Sequence, residues 1–138
     1  MADVVHKAGT GARYALAAVR GVNGAVSLVA PQVLAKRTGV DPDANPAALY
    51  VLRLFGVRTV YLALELVFAR GDHLRDALKV APAIHASDAL SAFAAGRTGQ
   101  LPPKPARMGT IISTVNFVLA LLAAGTAKQP ARRRPWRR

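Results

Sequence analysis

The stretch Ala47–Ala69, AALYVLRLFGVRTVYLALELVFA, decides how the chain is read. About 20 helical residues at roughly 1.5 Å each cover a bilayer's hydrocarbon core of about 30 Å, so the stretch has the length of a span. Against that stand Arg53, Arg58 and Glu65. A charge near the centre of a membrane helix costs about 2.5–3.5 kcal/mol, whereas each Leu, Ile, Val or Phe gains only about 0.3–0.6. The apolar residues therefore only about balance the three charges, and such a helix wants partners. Three further apolar segments supply them. The expected architecture is an all-α, polytopic membrane protein, a four-transmembrane-helix bundle over residues 13–127 with spans at 13–30, 47–69, 74–95 and 108–127. A flexible lead, residues 1–12, and a disordered basic tail, residues 128–138, flank it.

Composition points the same way. Hydrophobic residues make up 52% of the 138 and charged residues 19%. In a soluble domain of this size that balance would leave large apolar patches exposed, which monomers avoid. There is no cysteine. Disulfides, thiolate metal sites, iron–sulfur clusters and cysteine nucleophiles are thereby excluded. With 19 Lys and Arg against 7 acids, the net charge of +12 calls for a partner of opposite sign, anionic lipid or nucleic acid.

Local signals place the elements. Pro31 stops the first segment and Pro46, after Asn45 as N-cap, starts the second, with a polar connection between. Ala17, Gly21 and Ala25 recur every four residues, a stripe that lets a neighbouring helix approach closely, and Arg13, Arg20 and Ser27 form another, seven apart. Asp41, Asp43 and Asn45 match the first ligands of a calcium loop, but Pro46 stands where its glycine belongs and Leu52 where its last acid does. Arg70-Gly71-Asp72 reads as a tight turn. Pro82 lies within the third segment, which reads as one kinked helix or as two short helices, the second capped by Ser87. Residues 96–107 form a loop, and Ser113 and Asn116 make a polar stripe on the fourth segment that hydrogen-bonds to a neighbour. With four spans, the excess of Lys and Arg beside Lys7, Arg70, Arg75, Lys79 and the tail puts both termini in the cytoplasm, in a multi-pass protein of the plasma membrane.

The candidate site is a buried polar cluster of Arg53, Arg58, Glu65, His85 and Asp88, because ionisable groups within membrane segments are functional candidates. Arg58 and Glu65 are seven apart and share a face; Arg53 points elsewhere. His85 and Asp88, three apart, share a face on the next helix. One histidine within a span supplies neither a haem nor a zinc site, and no phosphate loop or nucleophile elbow occurs, so no catalytic residue, metal or cofactor is expected. In the tail, Arg132, Arg133, Arg134, Arg137 and Arg138 with Trp136 suit anionic lipid headgroups at a membrane face better than nucleic acid.

Arg53-Leu54-Phe55-Gly56-Val57-Arg58 in an apolar helix, with His85-Ala86-Ser87-Asp88 ahead of Gly96, resembles the small four-helix integral membrane proteins of high-GC actinobacteria. In layout the chain is distantly similar to DoxX-like proteins, which are associated with membrane redox and detoxification partners. Two functions fit the residues. One is a non-enzymatic accessory or scaffold subunit, acting by helix association with a membrane protein partner or with a second copy. The other is a small carrier or binder of an amphipathic or lipid-like ligand, using the buried Arg, Glu, His and Asp, with proton coupling as a variant.

Overall fold

The computed structural model describes residues 2–126. Five helices follow one another: α1 Ala2–Val29, α2 Pro31–Thr38, α3 Ala47–Phe68, α4 Gly71–Arg97 and α5 Pro103–Gly125. The fold is all-α as expected, but the four-transmembrane-helix bundle is not what the helices support. Among the described residues only α5 is long and apolar enough to cross a membrane. The other long helices each carry several charges, and the expectation gave too little weight to them. The cytoplasmic placement of both termini rested on four spans and falls with them.

Three boundaries also move, the first being the loop expected at residues 96–107, which narrows to 98–102 because Gly96 and Arg97 end α4 and residues 103–107 begin α5. Residues 2–12, expected as a flexible lead, are the first turns of α1, and the polar connection after Pro31 contains the eight residues of α2. Proline suits the first helical position because the N–H it lacks has no partner there. α2 ends at Gly39, whose φ of 76° turns the chain left-handed and brings its N–H to the Lys36 carbonyl. α3 starts where Pro46 was expected to start it, but without a side-chain cap; the Ala48 and Leu49 amides bond to the carbonyls of Asn45 and Pro46. At its other end the Arg70 guanidinium donates to the carbonyls of Val67 and Ala69, at 2.7 and 2.9 Å. α4 runs unbroken through Pro82.

Packing follows residue size. α1 and α3 run antiparallel and cross closely at Gly24 and Gly56, while α4 pairs with α5. The two pairs join through α1 and α5, and α3 and α4 barely touch. Fully buried positions are mostly small: Ala17, Ala81, Ala120 and Ala123 pack with Leu16, Leu66 and Leu78. Large apolar side chains lie outside instead, among them Tyr50, Leu54 and Phe68 on α3, Phe93 on α4, and Ile111, Val115 and Leu122 on α5. The expected stripe of small residues on α1 holds at Ala17 and at Gly21, which faces Ala63, and shifts by one position at its end. Ala17 is buried, but Gly24, not the exposed Ala25, meets α3. The buried edge of α1 is the one that holds Arg20 and Ser27, and the Ser27 hydroxyl donates to the Leu52 carbonyl of α3.

Candidate functional site

Because α3 and α4 stand apart, a cleft opens between them with α1 and α5 as its floor. A cavity of about 350 Å³ occupies it. α1 contributes Arg20, α3 Arg58, α4 His85 and Asp88, and α5 Ser113 and Asn116. Leu34, Phe55 and Ile112 also line it. The antiparallel pairing of α1 and α3 sets Gly21 against Ala63 and Gly24 against Val60. The cavity therefore runs along the bundle axis, with Arg20 toward one end and Phe55 with Leu34 of α2 toward the other. A second cavity, about 270 Å³, lies on the far side of Arg20 and is lined by Glu65, Leu62, Leu66, Val80 and Ile84.

The expected cluster is thus partly assembled. Arg58, His85 and Asp88 share the first cavity, Glu65 lines the second and Arg53 lines neither, and of the five expected to be buried only His85 is: Glu65 and Asp88 are half-buried, and Arg53 and Arg58 are exposed. The exposed Tyr61 lies one helical turn before Glu65, whose carboxylate raises the phenol's pKa. The headgroup-binding role expected for Arg132, Arg133, Arg134, Trp136, Arg137 and Arg138 falls outside the described residues.

Arg20 is the residue the sequence reading passed over. It is 4% exposed, common to both cavities, and forms no salt bridge among the described residues. Its Nε has no hydrogen-bond partner. Burial lowers its pKa to about 10, Asp88 and Glu65 oppose that shift, and Arg58 adds to it, so the guanidinium stays charged at neutral pH. The pattern that marks it in the sequence is its seven-residue spacing from Arg13 and Ser27. Two more polar atoms are orphaned beside it, His85 Nε2 and Asn116 Oδ1. The hydrogen bond expected from Asn116 to a neighbouring helix is therefore not made by its oxygen. Buried polar groups in proteins are nearly always paired, so the three orphans around this cavity leave it with unmet hydrogen-bonding capacity; a fourth, Arg13 Nε, borders a different cavity.

His85 is neutral at physiological pH. Burial, then the charges of Arg20 and Arg58, lower its pKa to about 4. Its Nδ1 lies 3.8 Å from Asp88 Oδ2, too far for a hydrogen bond. A histidine with a depressed folded-state pKa favours folding fully above its unfolded value of about 6.5, and that contribution is lost as pH falls toward 4. We predict that between pH 6.5 and 4 the wild-type protein loses roughly 2–3 kcal/mol more stability than His85→Gln, which has no proton to gain there. Parallel melting curves for the two across this range would show that His85 titrates normally.

No family model, curated protein or solved structure matches the chain. The resemblance drawn above rests on the chain's own residues alone. Among the described residues no group of His, Cys, Asp and Glu is placed to hold a metal ion.

Proposed function

We propose that the chain is a non-enzymatic, membrane-associated binder of a small amphipathic anion. The ligand's charged group lies against Arg20 and Arg58, and its apolar part runs toward Phe55, Ile112 and Leu34. The observation that carries this is Arg20, a buried guanidinium that faces a cavity and has no counter-ion in contact. Leaving such a charge unpaired costs several kcal/mol, and an anion in the cavity removes that cost. In the first cavity Arg20 and Arg58 face the single carboxylate of Asp88, with His85 neutral, which leaves one positive charge for a ligand to balance. Glu65 stands beyond Arg20, on the wall of the second cavity.

Membrane association follows from the outer surface. The exposed Ile111, Val115, Leu121 and Leu122 of α5 and the exposed Leu54, Val57 and Phe68 of α3 are apolar side chains of the kind that soluble monomers rarely gather on one surface. An amphiphile dissolved in the same apolar phase reaches the cleft sideways, where α3 and α4 make few contacts. The accessory-subunit alternative draws on these same exposed faces, where Arg53 and Arg58 stand one turn from Val57 and Leu54.

Decanoate titrated into the full chain in maltoside micelles tests the proposal. It is expected to bind wild type and raise its melting temperature, while decyltrimethylammonium, equal in chain and opposite in charge, does neither. Arg58→Gln should weaken decanoate at least tenfold, since a hydrogen bond to a charged group contributes about 1.5–3 kcal/mol. Equal binding of the two amphiphiles, or an Arg58→Gln variant that binds like wild type, would dismiss the cleft as an anion site.

A further inference from the structure

A third cavity, about 310 Å³, lies between the last turn of α4 and the first turns of α5, at the end of the bundle opposite the contact between Gly9 and Thr126. The two helices cross tightly there: a Cβ on Gly96 would come within 2.6 Å of the Ala106 Cβ, and Ala106 is buried. Arg97 and Arg107 each follow one of these contact residues, so both helices deliver a guanidinium to the same groove. Neither forms a salt bridge among the described residues, and the chain has no acid after Asp88. Phe93 and Ile111, about one turn away on each helix, line the rest of the groove and are 55% and 54% exposed. Nearby, the contact of Gly39 with Pro102 brings the end of α2, with Lys36 and Arg37, to the same end of the bundle, and Asp41 and Asp43 follow in the chain.

We infer that this groove binds the headgroup of an anionic phospholipid, with the phosphate between Arg97 and Arg107 and the acyl chains along Phe93 and Ile111. The inference rests on the membrane association proposed above. Guanidinium groups fit phosphate oxygens in a two-pronged geometry, and two of them without counter-ions call for an anion. The chemistry of the site changes within one helical turn from basic to apolar, as a lipid does between phosphate and acyl chain. Its place on the chain agrees. α5 is the helix apolar enough to cross a membrane, and its basic residues, Lys104 and Arg107, are confined to its first turns.

The test is lipid retention by the full chain after incubation in maltoside with equal amounts of phosphatidylglycerol and phosphatidylcholine and then gel filtration. Wild type is expected to retain phosphatidylglycerol at least tenfold over phosphatidylcholine, since each basic residue near an anionic headgroup contributes about fivefold. Arg97→Gln with Arg107→Gln should abolish that preference and leave the melting temperature unchanged, both residues being exposed. Changing Arg132, Arg133 and Arg134 together to Gln should preserve it. A preference that survives the first pair of changes, or disappears with the second set, overturns the site. Displacement of the lipid by millimolar glycerol phosphate would show a phosphate site rather than a lipid site and also overturns it. Equal retention of both lipids defeats this inference alone, whereas retention of neither defeats the membrane association as well.

Discussion

Gly56→Leu is expected to lower the melting temperature by roughly 6–12 °C and to drive α1 and α3 apart. A Cβ at Gly56 would lie 2.6 Å from the Leu28 amide nitrogen and 2.9 Å from the Gly24 carbonyl oxygen. These are backbone atoms of the facing helix and cannot swing aside as the end of a side chain does. Overpacking of this kind costs about 3 kcal/mol, and in a domain of this size each kcal/mol corresponds to roughly 2–4 °C. Gly24 is held the same way, with its Cβ position 2.8 Å from the Val60 nitrogen. Gly11→Ala provides the contrast. It lies in the same helix with nothing within 4 Å of its Cβ position, so alanine's better helix propensity, about 1 kcal/mol, should leave the protein as stable or more so. Equal losses at positions 11 and 56 would mean that α1 and α3 do not cross at these glycines.

Much of the fold was legible in the sequence because its punctuation is chemical. Pro31, Pro46 and the Arg70-Gly71 turn separate the helices within a residue or two of where the structure separates them, and α4 continues through Pro82 as one helix. Other features were not legible, for physical reasons. α2 is short and polar, and its eight residues have no apolar face of the length that marks a helix. The end of the small-residue stripe was misplaced, at Ala25 instead of Gly24, because α1 has small residues on several faces. Ala17, Gly21, Gly24 and Ala25 all permit close approach, and only the partner helix decides which one meets it. The membrane expectation went too far because segment length and hydrophobic content counted for more than the charges within each segment.

The candidate site shows a similar division. Arg58, His85 and Asp88 were identified because charges in apolar helices stand out, and the three line one cavity. The seven-residue spacing of Arg58 and Glu65 put them on one face, as expected, but two helical turns separate them along the axis, so Glu65 lines the second cavity instead. Arg20 stood out only as one of a stripe with Arg13 and Ser27, not as a candidate. It occupies the position common to both cavities only because α1 lies on the floor of the cleft, and that depends on α3 and α4 standing apart. A single sequence records no such separation.

Arg20 also gives the sharpest test, because a ligand-binding arginine and a structural one respond to mutation with opposite signs. Removing one partner of a buried ion pair typically costs about 3–5 kcal/mol, whereas a buried charge with no partner carries an uncompensated desolvation cost of several kcal/mol that an apolar side chain of similar volume does not. The guanidinium of Arg20 makes no salt bridge among the described residues, so the second case applies. Melting curves of delipidated wild type and Arg20→Met, each with and without decanoate, are the most direct measurement. We predict that ligand-free Arg20→Met melts at or above the wild-type temperature, by as much as about 10 °C, and no longer responds to decanoate. An Arg20→Met protein that melts well below wild type and is still stabilised by decanoate would contradict the account, since Arg20 would then hold the helices together rather than bind the ligand.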